Sequence, residues 1–433
     1  MDSARISTAG VRPLRTLDPA APADDLGWLD EAVGGARVVA IGESAHYNAE
    51  SYRLRHRILR RLVEEHGFRA YAMETGFVEA RVTDDWILGG GERRLGEVLA
   101  SGITSLMGLW REMREQLEWL RAHNRAAAEP VRFAGIDLPG SNASLLPGLD
   151  ATIAYLAEAD PELTVDPGLR ATVAPFAAPS AFSALTSLGV YAELDPAARD
   201  ALTAGLAELQ DRLVGRRLGY RRATGAEAYD RALRSLRLTV ALDQVARAML
   251  RGDRASVMYT RDAAIADTVE WIDQRAGGRV VLAAHNGHVQ RWPGTMPGMP
   301  PVTPMGLYLA DRLAGDYLVI GTTTGRGQTL NTSPDFYTGK LFTDLEPPRA
   351  GSLDAVLDAS AEGPFAVDLR RLPAEDAAVL KAAGEQRFGA YYSPIDAAQA
   401  YDVLVHLPVV TAATPDPEAV AASPAEVRKA FGG

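Results

Sequence analysis

Carboxylate and imidazole side chains directly follow several short apolar runs of this sequence. Five of them stand within four residues of the end of such a run: Glu43, His46, Glu74, His285 and His288. A carboxylate can hold a histidine in one tautomer and stabilise its charged form, so these residue types together support general acid–base catalysis. The same residue types also bind metals such as zinc. Their shared position after apolar runs is a stronger signal than any one residue alone.

The apolar runs alternate with helical patterns, which predicts an α/β fold. Predicted strands cover residues 37–42, 68–73, 131–136, 280–284 and 317–321, with two later candidates at 365–367 and 401–410. Such alternation forms parallel sheets through right-handed crossovers, and ligands bind these sheets outside the carboxyl ends of the strands. We therefore expect a mostly parallel central sheet with helices on both faces, and the five polar side chains at one edge of it.

The long stretch between the third and fourth predicted strands carries helical patterns and no convincing strand. Predicted helices there include residues 197–213, 226–250 and 255–275. This predicts a large helical insertion that stands over one end of the sheet. We assign residues 1–139 and 262–433 to an α/β core domain with the catalytic site, and residues 140–261 to a helical insertion or lid domain. The proline-rich tail after Pro408 is expected to be peripheral.

The composition argues against several classes of protein. The chain has 433 residues, a formal net charge of −11 and no cysteine. Without cysteine it has no disulfides, thiol nucleophiles or thiolate metal sites, and it suits a reducing cytosol. It shows no basic stripe with interleaved aromatics, which argues against a nucleic-acid partner. No stretch approaches the roughly 18 apolar residues of a membrane span, so we expect a soluble cytoplasmic protein, from a GC-rich bacterium given its arginine bias.

Familiar nucleophile and cofactor signatures are absent from the sequence. It has no Gly-x-Ser-x-Gly elbow, no phosphate loop and no Gly-x-Gly-x-x-Gly after the first predicted strand. Two mechanisms stay open on the residues alone. One is acid–base catalysis by carboxylate-oriented histidines, and the other is a metal held by the histidines of His285-x-x-His288 with Glu43 and Glu74. The loop spacing of these histidines is a weak metal signal, so we expect no metal and no cofactor.

Several short motifs together resemble those of the erythromycin esterase family. They are Gly42-Glu43-Ser44-Ala45-His46, then Glu50 and Arg55, Met73-Glu74, Thr260-Arg261-Asp262 and Ala284-His285-Asn286-Gly287-His288. The resemblance spans roughly residues 30 to 325. It implies a carboxylic ester hydrolase that opens the macrolactone of macrolide antibiotics without a metal, and therefore a role in antibiotic resistance.

The resemblance also implies roles for individual residues. His46 would be the general base for water. Three further catalytic candidates would orient the base, the water or the lactone: Glu43, Glu74 and His285. Substrate-binding candidates are Arg55, His288 and Arg261. With an unperturbed histidine as the base, the rate is expected to rise with pH around ~6.5.

The expected partner is a small molecule, a large apolar ester or polyketide. Apolar side chains of the insertion are expected to form one wall of a wide cleft, where buried hydrocarbon contributes about 25 cal/mol per Å². These side chains are Phe176, Phe182, Leu185, Leu188 and Tyr191. Two other functions stay open. One is an enzyme of the same scaffold that acts on a polyketide or other natural-product intermediate by elimination or dehydration, and the other is a metal- or haem-binding protein.

Overall fold

The strand–helix alternation of the sequence builds one nine-stranded sheet in the computed structural model, which describes residues 4–296 and 298–432. The strands are β1 (Arg12–Pro13), β2 (Val38–Glu43), β3 (Phe68–Gly76), β4 (Arg132–Asp137), β5 (Arg279–His285), β6 (Tyr317–Leu330), β7 (Phe342–Leu345), β8 (Phe365–Asp368), β9 (Glu385–Phe388), β10 (Tyr391–Pro394) and β11 (Val403–Val410). Strands β9 and β10 form a separate antiparallel pair.

The order across the large sheet is β1-β8-β11-β6-β2-β5-β3-β4, with β7 paired to β6. The six strands from β11 to β4 run parallel to their neighbours, whereas β1, β7 and β8 pair antiparallel. The predicted α/β fold with a mostly parallel sheet is therefore confirmed. The short strands β1 and β7 were not predicted, because strands of two and four residues are too short to show an alternating apolar pattern.

Helices cover both faces of this sheet. They are α1 (Trp28–Val33), α2 (Ala49–His66), α3 (Ala80–Ile87), α4 (Leu95–Gly102), α5 (Arg111–Ala126), α6 (Leu146–Ala159), α7 (Pro167–Val173), α8 (Ala184–Glu193), α9 (Pro196–Gly215), α10 (Arg217–Thr224), α11 (Ala226–Leu250), α12 (Arg254–Asp273), α13 (Asn286–Val289), α14 (Met305–Leu313), α15 (Leu353–Asp358), α16 (Ala374–Ala382), α17 (Ala397–Ala400), α18 (Pro417–Ala422) and α19 (Ala425–Ala430). Successive strand side chains point to opposite faces. In β2, Val39 and Ile41 join the core that includes α2 and α5, whereas Val38 and Ala40 join the core that includes α12 and α14.

Helix α2 follows the first strand as predicted and positions the residues behind the site. Its apolar stripe, which includes Leu54, Ile58 and Leu62, is buried against the sheet. The helix ends at Gly67, whose φ of 71° places it in the left-handed region that glycine adopts readily as a helix cap. This cap lets β3 begin directly at Phe68.

The stretch between β4 and β5 is helical, and its predicted helices are present as α9, α11 and α12. Its apolar side chains form a core of their own, which includes Leu149, Leu206 and Leu236. The division into a core domain and a lid domain stays a prediction, with its boundary at residue 261 inside α12. No single helix in the described ranges is long and apolar enough to cross a membrane, although the bent pair Pro167–Phe176 and Ala181–Glu193 reaches that threshold together.

The C-terminal tail is not peripheral, contrary to the prediction. Asp416 is buried and accepts hydrogen bonds from Arg114 on α5 at 2.5 and 2.9 Å. The same carboxylate caps α18 by accepting from the backbone N–H of Ala419 at 2.8 Å. Val427 of α19 is buried in the main core. Pro417 begins α18 and Pro424 is the N-cap of α19, so these two prolines mark helix starts, where proline is tolerated.

The Asp416 contacts predict a stability difference between two neighbouring acidic residues. Asp416→Ala removes a cap and the buried partner of Arg114, so we expect the free energy of unfolding to fall by about 2–4 kcal/mol. Glu418 also lies 3.0 Å from Arg114, but its side chain is 69% exposed. Glu418→Ala is therefore the matched control, with an expected loss of about 0–1 kcal/mol. Urea unfolding of both variants measures the difference, and equal losses would contradict the interpretation.

Candidate active site

The turn after β2 brings His46 back beside the carboxylate that ends the strand. His46 Nδ1 lies 2.7 Å from Glu43 Oε1, and because a carboxylate only accepts, Nδ1 carries the proton. The other oxygen of Glu43 lies 3.4 Å from Arg55 Nη1. Among the described residues, the opposite ring nitrogen of His46, Nε2, has no hydrogen-bond partner. In its neutral form His46 therefore has an uncommitted lone pair at Nε2.

Gly42, next to the last residue of β2, allows a close contact between neighbouring strands. A Cβ at Gly42 would overlap Oδ1 of Asn286, the residue that follows β5. Asn286 donates from Nδ2 to the carbonyl of Thr322 at 2.7 Å and accepts from the Thr322 N–H at 3.2 Å. The Gly-Glu and His-Asn motifs therefore meet across the sheet because one residue lacks a side chain.

Arg261 of α12 joins the ends of two adjacent strands. Its guanidinium donates to Asp137 of β4 at 3.0 and 2.6 Å and to Glu74 Oε1 of β3 at 2.9 Å. The second oxygen of Glu74 accepts the backbone N–H of His285 at 2.8 Å. Burial opposes ionisation of Glu74, but the charges of His288, His46 and Arg261 hold its pKa well below the usual range. Glu74 is therefore a carboxylate held in one orientation.

His285 is neutral and fixed at both ring nitrogens. Nε2 lies 3.0 Å from the carbonyl oxygen of Ser44, which only accepts, so Nε2 is the protonated nitrogen. Nδ1 accepts the backbone N–H of Gly287 at 3.1 Å. Burial and the neighbouring His46 lower the pKa of His285 to about 4. Its ring centroid lies 5.2 Å from that of His46, so His285 holds the turn that carries His46.

His288 is the charged histidine of the site. Its Nδ1 lies 2.8 Å from Asp262 Oδ1, and its Nε2 lies 3.4 Å from Glu74 Oε1. Burial disfavours the imidazolium, but the charges of Asp262 and Glu74 raise the pKa of His288 to about 10. The Nη1 of Arg261 lies 3.1 Å from the same Nε2, which cannot accept a hydrogen bond while the ring is an imidazolium. The two cations therefore lie side by side and share Glu74 Oε1.

The pKa of His46 is raised above the ordinary 6.5. Burial alone would lower it, but the hydrogen bond to Glu43 and the charges of Glu74 and Glu43 outweigh that effect. The expectation of an unperturbed base near pH 6.5 is therefore wrong. At neutral pH a larger fraction of His46 carries a proton than an unperturbed histidine would.

A cavity of about 270 Å³ opens over these groups. Its lining residues are His46, Glu74, Ser105, Met107, Asn142, Arg261, His285 and His288. The structure thus brings five of the seven predicted site residues to one cavity wall. Glu43 lies behind that wall as the partner of His46. Arg55 was predicted to bind substrate. In the structure it is only 2% exposed and pairs with Glu43, so it supports that carboxylate, and its contact with a substrate stays a prediction.

Some residues of the site were not found in the sequence. Ser105, Met107 and Asn142 line the cavity, and Asp262 holds His288. Asp262 stands next to Arg261 in a motif that had been noted, so its acidic side chain was a usable signal. The three lining residues have no signal of their own in the sequence. Asp137, the last residue of β4, is a partner of Arg261.

The apolar stretch of the insertion does not form the predicted wall. Phe176 and Tyr191 are 2% and 1% exposed and pack edge to face, with ring centroids 5.1 Å apart. Phe182 packs against Phe336 of the segment after β6. Leu185 is 59% exposed, and neither it nor Leu188 lines the cavity. Phe176 and Tyr191 therefore stabilise the core of the insertion, whereas Phe182 belongs to the main core beside Phe336.

The donor groups do not converge as metal ligands. Within residues 4–296 and 298–432, no three His, Asp or Glu side chains are placed to hold a metal ion together. Each carboxylate is directed toward a cation or a backbone N–H, as Glu43 is toward His46 and Arg55. The His285-x-x-His288 pair is also divided, because the two rings bind different partners.

Comparison with known proteins identifies relatives over most of the chain. A family model described as erythromycin esterase matches residues 63–410. Erythromycin esterase type II from Escherichia coli is 27% identical over 409 residues, which cover 90% of this chain and 93% of that protein. A mutant of the erythromycin esterase EreC in its open conformation superposes with a TM-score of 0.77 at 22% identity, covering 93% and 98% of the two chains. A Bacillus cereus protein superposes with a TM-score of 0.79 at 21% identity, covering 94% and 97%.

The Glu43–His46 contact predicts a change in titration behaviour. Glu43→Gln keeps the shape of the side chain but removes the charge that stabilises the imidazolium, so we expect the pKa of His46 to fall. Histidine ring proton signals followed by NMR across pH measure this pKa, and the His46 signal is assigned by its loss in His46→Gln. Glu418→Gln, on the surface of α18, is the control and is expected to leave the signal unchanged. An unaltered His46 pKa in Glu43→Gln would contradict the assignment.

Proposed function

The chain belongs to the erythromycin esterase family, and from that premise we propose that it hydrolyses a macrolactone or a related ester with water activated by His46. One observation carries the proposal. His46 is fixed through Nδ1 by Glu43, while Nε2 has no protein partner among the described residues and the ring lines the cavity. A base held in this way can accept a proton from water, which contributes typically ~10²–10⁴-fold to a rate.

In the first proposed step, water attacks the ester. Neutral His46 takes one proton of the water at Nε2 as the water oxygen bonds to the carbonyl carbon. The π electrons of the carbonyl move to its oxygen and give a tetrahedral oxyanion. Glu43 stabilises the imidazolium that forms. Because Glu43 is a buried carboxylate, its negative charge attracts the positive ring more strongly than it would in water.

In the second proposed step, the oxyanion re-forms the carbonyl and the bond to the alkoxy oxygen breaks. The leaving alkoxide takes the proton from Nε2 of His46, which returns the base to its neutral form. The products are a carboxylic acid and an alcohol, joined in one open chain when the substrate is a lactone. Arg261 and His288 line the same cavity as cations and favour the negative charge of the intermediate.

The relatives and the size of the cavity support a class of substrate. The Escherichia coli relative is an erythromycin esterase, which supports a macrolide as the substrate of this chain. The cavity has a volume of about 270 Å³, slightly below the range of about 300–1,000 Å³ that is typical of ligand pockets. We therefore propose that it holds the reacting ester and its neighbouring groups, while the rest of a large ring lies beyond its opening.

Incubation with erythromycin tests the proposed reaction. We expect mass spectrometry to detect a product that has gained one water, with oxygen from labelled water in the new carboxylate. Elimination would give a loss of water instead. The assay contains EDTA, because the proposed steps use no metal. If neither erythromycin nor other 14-membered macrolides gain water, the proposed substrate is wrong.

Replacement of the base tests the proposed mechanism. His46→Asn is expected to lower kcat by about 10²–10⁴-fold, because water then loses its proton acceptor. His123→Asn on α5 is the matched control, since His123 lies outside the cavity and the same substitution there should leave kcat unchanged. Circular dichroism checks that both variants are folded. A near-normal kcat in folded His46→Asn would rule out this base.

The pH dependence of kcat tests the protonation state of the base. His46 acts in its neutral form and its pKa is raised, so activity is expected to be lost as pH falls through a midpoint above 6.5. Glu43→Gln should move that midpoint to lower pH and lower the plateau. Steady-state rates across pH measure both effects. A midpoint at or below 6.5 in the parent chain would contradict the role of Glu43.

A further inference from the structure

The loop after α4 contains two successive residues in the left-handed region. Ser105 has φ of 55° and Leu106 has φ of 60°. Residues other than glycine rarely adopt this backbone conformation, which costs of order 1–3 kcal/mol for each such residue. These conformations persist only where surrounding contacts determine them, and they concentrate at functional sites. Ser105 also lines the cavity that contains His46.

Two contacts hold the backbone of Ser105. Its N–H donates to Ser141 Oγ at 2.9 Å, and its carbonyl accepts from the Tyr47 hydroxyl at 2.7 Å. Tyr47 and Ser141 are themselves left-handed, with φ of 65° and 55°. Tyr47 directly follows His46 in the chain. The conformation of Ser105 is therefore coupled to the turn that carries the base.

The residue before Ser105 is fixed to the end of β3. The N–H of Thr104 donates to Thr75 Oγ1 at 2.7 Å, and the N–H of Gly76 donates to Thr104 Oγ1 at 2.8 Å. Glu74 immediately precedes these strand residues. The position of Ser105 is thus fixed relative to His46 on one side and to Glu74 on the other.

None of the contacts that hold Ser105 uses its hydroxyl. Among the described residues, Ser105 Oγ has no hydrogen-bond partner, although Ser105 lines the cavity. Several other donors of the lining are engaged by the protein. Asn142 Nδ2 donates to Asp137, His285 Nε2 donates to Ser44, and Arg261 is held by Asp137 and Glu74. Ser105 therefore supplies a neutral donor that a substrate can use without breaking a protein contact.

We propose that the Ser105 hydroxyl donates a hydrogen bond to the ester carbonyl oxygen as that oxygen becomes an oxyanion, an inference that rests on the proposed hydrolysis. Water remains the nucleophile, and Ser105 keeps its proton and forms no bond to carbon. A fixed donor directed at developing charge needs no reorganisation during the reaction, and one such donor is worth about 10²–10³-fold in kcat. The rigid loop provides that fixed position.

Two substitutions separate the hydroxyl from the backbone conformation. Ser105→Ala removes the hydroxyl and keeps a Cβ at the left-handed position. Ser105→Gly removes the hydroxyl and also the strain, because glycine adopts φ near 55° freely. Both variants are expected to lower kcat by about 10²–10³-fold with a smaller change in KM. Ser101→Ala is the matched control, since Ser101 lies exposed on α4 and outside the cavity.

The assay measures hydrolysis of erythromycin and of p-nitrophenyl acetate by the parent chain, the three serine variants and His46→Asn. Parent-level kcat in folded Ser105→Gly would overturn the proposal, because only the backbone would then matter. An acyl adduct on Ser105 in rapidly quenched samples would also overturn it, since serine would then be the nucleophile. A parent chain that hydrolyses neither ester overturns the proposed function together with this inference. An active parent with unimpaired Ser105 variants overturns the inference alone.

Discussion

The guanidinium of Arg261 holds together two carboxylates that would otherwise repel each other. Glu74 and Asp137 end adjacent parallel strands, and both are buried. An unpaired buried charge costs several kcal/mol, so this pair of strand ends requires a cation between them. The planar fork of arginine suits the task, because it donates to Asp137 in two places and reaches Glu74 from one of the same nitrogens. The contact also connects α12 to the sheet at the cavity.

This arrangement of charge gives the three histidines of one cavity different protonation states. His288 faces two carboxylates and is an imidazolium, whereas His285 faces a backbone carbonyl and a backbone N–H and is neutral. His46 lies between these cases, with one carboxylate in direct contact and a second nearby. Of the three, His46 alone has a ring nitrogen without a protein partner in the described part of the chain. Partner type, more than depth of burial, therefore distinguishes His46, the proposed base, from its neighbours.

The sequence was sufficient for the sheet and for the position of the site because both depend on local patterns. Apolar runs and helical stripes are read within a few residues, and parallel strands place their carboxyl ends at one edge. The orientation of a side chain is not local. Arg55 was expected to bind substrate because of the family resemblance, and its guanidinium lies beside Glu43. Likewise, Pro417 suggested a loose tail, although with Asp416 before it the same proline begins a capped helix.

Ser105 and Asn142 could not be predicted as site residues from the sequence. Both adopt a left-handed backbone conformation that is typical of glycine, although neither is glycine. The non-glycine residues with positive φ in the described chain are Tyr47, Ser105, Leu106, Ser141, Asn142 and Ala314, and all but the last lie in the turns around the cavity. Glycine would adopt these conformations without strain. It would also delete the Tyr47 hydroxyl and the Ser141 Oγ that fix Ser105, so the turns would lose the contacts that define them. The strain is therefore a consequence of placing side chains where the backbone alone would favour glycine, and the residue types at these positions give no local sign of the conformation.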